Sequence, residues 1–486
     1  MNVNPITRLD YPDPDVIRVG DTYYMVSTTM HFMPGCEILQ SFDLVHWEHV
    51  TYVYETLDHT DAQQLKSGQN IYGQGMWAAS LRYHEGRFCI CFVANDTRKT
   101  YLYTSEKIDG PWKKQLIEGF YHDGSLLFDE DGRNYIVYGN DEIWITELNE
   151  DLTAPKKDGL HRLLVSDHKN PELGYEGSHI QKINGYYYIF LIHSLRDRWM
   201  RTEACFYSDS LEGEFTGGDV LCDDRGYCGQ GVAQGGIVDT PDGKWYAMLF
   251  QDSGAVGRIP ILVPVTWKDH FPFFGQNGHV PEEIEVHSTR PGYIYQPLVG
   301  SDDFCNGLLP HWQFNHDPDP RYYHLDALQG TYTITTREVC TELTQAVNTL
   351  TQRMGYPSCA AEVTVDASAL KEGDVAGLCA LQSCYAAVGI TKHHGKYEVL
   401  MLDKKEDGIL DMTEGTVVES HQMDFRLEAD FCNMKDEARC YYRVNKGDWL
   451  PIGTVHKLYF KLDHFTGCRF GLFCYAAEET GGSACF

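Results

Sequence analysis

The chain has 486 residues, 43% of them hydrophobic and 23% charged, an ordinary globular composition on a length that suits two domains better than one. Its formal charge of −30 excludes nucleic acid or an anionic membrane as partner, since either needs a basic footprint to exchange with counterions, and leaves a neutral ligand compatible. No stretch approaches the apolar length of a membrane span, and the first residues lack the basic head and apolar core of a signal peptide, so the expected location is cytoplasmic.

In chain order, the first predicted element is a strand led in by Pro12-Asp13-Pro14, where prolines fix the backbone without harm to a ladder. It ends in a turn at Gly20 and returns through Tyr23 and Tyr24, and the loop His31-Phe32-Met33-Pro34-Gly35 follows. The same strand, glycine turn and aromatic return recur at Gly86, Gly132, Gly185 and Gly243, with Phe88, Tyr135, Tyr187 and Trp245 just after them. The five glycines are 66, 46, 53 and 58 residues apart. Counting back nine positions from the last four gives Trp77, Asp123, Glu176 and Gln234, and counting back seven from the first gives Asp13. The shorter first hairpin keeps the in/out alternation, because the side-chain period of a strand is two. A second echo supports the register: Ser105-Glu106-Lys107-Ile108-Asp109-Gly110 resembles Ser208-Asp209-Ser210-Leu211-Glu212-Gly213.

Four short strands repeated about every 50 residues are the signature of a propeller blade. Five copies predict a five-bladed β-propeller over residues 1–295. Equivalent positions on equivalent strands point the same way, so Asp13, Asp123 and Glu176 are expected near the axis at one end, with Trp77 and Gln234 in the other two sectors. Three acids in one pocket are costly unless function requires them. Arg258, on a glycine-bounded loop beside the fifth inner strand, can face them, with Asp123 or a sugar hydroxyl as its expected partner. Residues 291–300 have no period and read as a linker. From 301 to 486, alternating segments such as 360–365, 385–390 and 457–462 succeed one another with turns between them, which is a β-sandwich pattern. The fold class is therefore all-β. Sixteen cysteines contain no C-x-x-C pair and read as reduced, mostly buried thiols.

Pro12-Asp13-Pro14, Val19-Gly20-Asp21-Thr22-Tyr23-Tyr24, Met76-Trp77-Ala78, Asp123-Gly124-Ser125-Leu126, Tyr175-Glu176-Gly177 and Gly257-Arg258 together resemble glycoside hydrolase family 43, the five-bladed β-xylosidases and α-L-arabinofuranosidases. Residues 301–486, with Ser301-Asp302-Asp303-Phe304 and Asn348-Thr349-Leu350-Thr351-Gln352-Arg353, resemble the concanavalin-like or lectin-like sandwich that follows the propeller in its xylosidase-like members. The resemblance implies an exo-acting hydrolase with Asp13 as general base, Glu176 as general acid and Asp123 as the carboxylate that orients the acid and raises its pKa. This agrees with what the bond demands: one protonated carboxyl on the leaving oxygen and one carboxylate activating water on the far face. Blades one and four are not neighbours in a ring of five, which favours the wider carboxylate gap of inversion. Trp77 and Phe32 are expected to line the sugar subsite.

Many members carry a histidine at the fifth axial position, associated with calcium or water in the channel. Gln234 stands there in this chain; its carbonyl could still meet a hard cation, but no residue is assigned as a metal ligand and no cofactor is required. The expected partner is a small oligosaccharide releasing xylose or arabinofuranose. Two other readings fit less well. A retaining fructanase of the related five-bladed type would begin Asn-Asp-Pro-Asn-Gly, and a non-catalytic binding propeller has no reason to gather three acids.

Overall fold

The computed structural model describes residues 2–413 and 415–486. Five four-stranded antiparallel blades are arranged in chain order. Blade one is Asp15–Val19, Thr22–Ser27, Gly35–Ser41 and Glu48–Tyr54. Blade two is Met76–His84, Arg87–Ala94, Lys99–Ser105 and Lys113–Ile117. Blade three is Ser125–Phe128, Asn134–Asn140, Glu142–Leu148 and His161–Ser166. Blade four is Glu176–Ile183, Tyr186–Ser194, Arg201–Ser208 and Thr216–Leu221. In blade five the inner strand is broken into Val232–Ala233 and Ile237–Asp239, followed by Trp245–Asp252, Arg258–Lys268 and Phe271–Phe274.

The five repeat glycines turn each first strand into its second, and all five have positive φ, from 63° at Gly20 to 86° at Gly185. Only a residue without Cβ takes that conformation freely, which is why the repeat shows in its glycines first. Most of the aromatics after them are buried between blades: Tyr23 and Tyr135 are fully buried, Tyr188 packs with Phe190 against blade five, and Trp245 is half-buried. The N-terminal segment closes the ring. Asn2–Val3 pairs with Glu283–Ile284, and the Asn4 side chain donates to Leu262 O while accepting from Leu262 N.

The second domain is a sandwich of two antiparallel sheets around a core that includes Phe314, Tyr332, Leu350, Val365, Leu378 and Phe425. One sheet takes its edge strand from the propeller: Phe32–Met33 pairs with Gln313–Asn315. A buried ion pair joins the domains nearby, Arg353 Nη1 to Glu37 Oε2 at 2.8 Å, with Arg353 also donating to Asp10 O and lying over Tyr11. Against the cost of burial, that guanidinium holds the Glu37 carboxyl down at about 2. The same segment that carries Asp13 is thereby clamped between domains.

Candidate active site

Each blade's first strand starts at the same end of the channel. There Asp13 (φ 52°), Asp123 (φ 48°) and Gln234 (φ 61°) adopt left-handed backbone, as do Gly75 (φ 81°) and Gly177 (φ 64°) in blades two and four. Non-glycine residues held in that region cost about 1–3 kcal/mol each and gather where function demands a particular side-chain direction.

The acids are held differently. Asp13 is buried, and its two oxygens accept from Arg258 Nη1 at 3.0 Å and Thr28 Oγ1 at 2.6 Å. Glu176 is half-buried and accepts from Asn140 Nδ2 at 2.8 Å. Asp123 is buried, accepts from the Gly177 N–H at 3.1 Å, and stands beside His122, whose Nε2 is 3.5 Å from Asp123 Oδ2 and 3.6 Å from Glu176 Oε2. Burial pushes Asp123 up to about 6; His122 opposes this, and the charges of Glu176 and Asp13 add to it. Conversely, the Asp123 carboxylate pushes His122 up to about 9 against the cost of its own burial.

Among the described residues, Trp77 Nε1, His122 Nε2 and Arg258 Nε at this end are buried without a hydrogen-bond partner. Buried polar groups are normally satisfied, so donors orphaned around an acid cluster mark where a ligand or its hydration completes the structure. Trp77 forms a wall, 6.0 Å from the His122 ring and 5.5 Å from Phe465 of the sandwich. Phe465 also lies 4.3 Å from the Arg258 guanidinium, and its carbonyl accepts from Arg258 Nη2. The second domain thus closes one side of the site.

The structure brings together Asp13, Asp123, Glu176, Trp77 and Arg258, with two corrections. Arg258 opens a strand rather than riding a loop, and its partner is Asp13, not Asp123. Phe32 does not line the site: its ring lies under Arg469 at 3.5 Å, in the cluster containing Leu343, Val375 and Phe473, because its backbone is spent as the sandwich's edge strand. Sequence reasoning missed Thr28, Asn140, His122 and Phe465. Thr28 lies in the connection between its blade's second and third strands, and Asn140 and Arg258 flank the same connection in theirs. Phe465 comes from another domain and left no signal in the repeat. Gln234 lies in the break of its inner strand; its N–H donates to the buried Glu203 Oε2 at 2.7 Å, and its side chain packs against Gly177.

Deeper in the channel, Arg82 spans the inner strands. It donates to Asp15 Oδ2 at 2.8 Å, Ser125 Oγ at 2.8 Å, Leu126 O and Ile180 O, while His179 Nδ1 meets Asp15 Oδ1 at 3.2 Å. The Arg82 guanidinium thus takes backbone oxygens of blades three and four, Leu126 O and Ile180 O, as acceptors. The ligand atoms of His122, Asp123 and Glu176 lie within 4.8 Å of one another, close enough to face one ion.

Residues 3–272 match the model of glycosyl hydrolases family 43, and residues 301–486 match the beta xylosidase C-terminal concanavalin A-like domain. The chain is 27% identical to a beta-xylosidase of Formosa agariphila, over 99% of this chain and 88% of the relative. It is 25% identical to a non-reducing end alpha-L-arabinofuranosidase of Bacteroides ovatus, over 67% of this chain and 63% of the relative. Among solved structures, a bifunctional GH43-CE protein of Bacteroides eggerthii superposes with a TM-score of 0.93 at 42% identity; the match covers all of this chain and 63% of that one. A propeller whose acids gather at one end, capped by a concanavalin-like sandwich, and family matches to both parts establish that the chain belongs to glycosyl hydrolase family 43 and is a glycosidase.

Proposed function

We propose that the enzyme removes a terminal xylose or arabinofuranose from short oligosaccharides with inversion, using Asp13 as general base, Glu176 as general acid and Asp123 to orient the acid. The observation that carries this reading is the unequal treatment of the carboxylates: Asp13 is locked by two donors, whereas Glu176 is half-open beside a buried Asp123.

In the reaction, Glu176 gives its proton to the leaving glycosidic oxygen, and a water on the opposite face of the sugar loses a proton to Asp13 as it attacks the anomeric carbon. Arg258 and Thr28 fix the rotamer of Asp13, so the base is oriented before the sugar arrives. Asn140 bonds Glu176, His122 Nε2 stands 3.6 Å from it, and the low-dielectric wall of Trp77 and Phe465 strengthens every charge in the site. Asp123, raised by burial to about 6, keeps its proton closer to neutral pH than an ordinary aspartate does, and it stands next to Glu176 across the His122 ring. The wall from the sandwich supports a short, exo-acting pocket. Arg82 puts a cation of the protein's own into the channel, and no step of this reading needs a metal.

Wild type and Glu176→Gln assayed on nitrophenyl β-xyloside and nitrophenyl α-L-arabinofuranoside test the assignment: hydrolysis by the first protein and its near-complete loss in the second is expected. Equal rates would remove the site.

A further inference from the structure

In blades one, three and five, the connection between the second and third strands, or a residue flanking it, reaches the acids: Thr28 and Arg258 bond Asp13, and Asn140 bonds Glu176. Blade four, which carries Glu176 itself, sends no such residue inward. Its connection, 195–200, instead presents Trp199 outward, with 44% of that residue exposed. Large aromatics exposed singly are common on protein surfaces, so exposure alone says little. What distinguishes Trp199 is how it is held and where it stands.

The connection is stapled at its base: Leu195 N donates to Met200 O, Met200 N to Ser194 Oγ, and Asn170 Nδ2 to Ser194 O. The ring lies 5.3 Å from the guanidinium of Arg201, which is itself immobilised by Asp252 Oδ2 at 2.7 Å. The other neighbour of Arg201 is Phe250, which lies between two guanidinium groups, Arg201 at 5.3 Å and Arg258 at 5.5 Å. Trp199 is thus tied through packed side chains to the residue that orients Asp13.

Strand register gives its position. Glu176 pairs with Ile192, and Ser194 pairs with Arg201, so the base of the connection lies two residues above the level of Glu176, about 7 Å, and one to two strands outward, about 5–10 Å. In an inverting site the leaving sugar departs on the side of the acid. A connection on the acid's blade whose base stands roughly 10 Å out from Glu176 borders the route past the first leaving sugar.

We propose that Trp199 is a stacking platform for a sugar unit on the leaving side, past the scissile bond, and that it makes the enzyme prefer longer oligosaccharides over short ones. The inference rests on Glu176 being the acid. An indole presents a broad flat face to the C–H face of a sugar ring, and a pre-fixed ring pays little ordering entropy when the sugar arrives.

The test compares kcat/KM on a tetrasaccharide with kcat/KM on the corresponding nitrophenyl glycoside, in the xylo- or arabino-series that the wild type cleaves. Trp199→Ala is expected to lower the ratio of the two about tenfold, chiefly through KM on the tetrasaccharide, and Trp199→Tyr to restore most of it. The ratio does not depend on the fraction of active protein, so partial misfolding does not obscure it. A ratio within twofold of wild type in Trp199→Ala would overturn the proposal. Failure of the wild type to cleave either series would instead overturn the xylose or arabinofuranose specificity proposed above, a separate result.

Discussion

The two levels of the propeller channel use the same residue types to opposite ends. At the inner level, Asp15 is paired with Arg82 and His179, and Arg18 with Asp239, so each carboxylate has its counter-ion. At the outer level, Asp123 is buried beside two other acids, its pKa is raised, and among the described residues the nearby donors Trp77 Nε1, His122 Nε2 and Arg258 Nε have no hydrogen-bond partner. The inner level is an electrostatic plug that ties blades one, two, three and four together; the outer level is left incomplete. Buried acids therefore locate chemistry only where their neighbours leave them unsatisfied.

Substitutions at the two levels should separate most sharply in activity. Glu176→Gln is expected to cut kcat by about 10²–10⁴-fold, the range for a lost general acid, with Tm close to wild type. Asp15→Asn leaves Arg82 buried without its counter-ion and should cost about 3–5 kcal/mol of stability, read in denaturant melts, while kcat per folded molecule changes little. If both substitutions lowered Tm alike and activity alike, the contrast between plug and site would be wrong.

A smaller effect is expected at Glu203. Burial pushes its pKa up, so the group serves as a neutral acceptor for the Gln234 N–H and fixes the side chain that packs on Gly177, next to Glu176. Glu203→Leu should lower kcat roughly tenfold, about 1.4 kcal/mol. Glu203→Gln, which keeps the acceptor, should stay near wild type. Equal losses in both would show that Glu203 does not act through Gln234.

The smallest effects concern pH. His122 lowers the pKa of Asp123, so His122→Asn should move the alkaline limb of the kcat/KM profile to higher pH. Stability gives the matching sign. His122 is raised from 6.5 to about 9 in the fold, so its contribution is whole below pH 6.5 and is lost as pH rises toward 9. Wild-type Tm should decline over that interval, and His122→Asn should flatten the decline. A limb that moves down, or an unchanged Tm slope, would contradict the coupling.

Much of the fold was legible because the repeat is written in residues with backbone consequences: five turn glycines at positive φ and acids at strand starts. The positions of Asp13, Asp123 and Glu176 followed from that register. What one repeat could not show was contact across blades or across domains. Arg258 was expected near Asp123 because both sit by the axis, but choosing between two acids a few ångströms apart needs the ring's closure, which the N-terminal segment sets through Asn4 and Leu262. Phe32 looked like a pocket wall because it is an aromatic on a loop near the site. A two-residue pairing with Asn315 and Phe314, from a domain nearly 300 residues away, turned it to the interface instead. Phe465 reached the site by the same long-range docking.

The central claim is that Asp13 and Glu176, from non-adjacent blades, act on opposite faces of one glycosidic bond. Proton NMR of the first sugar released from a β-xyloside, recorded before mutarotation, tests it most directly. The account predicts α-xylose; β-xylose as the initial product would contradict it.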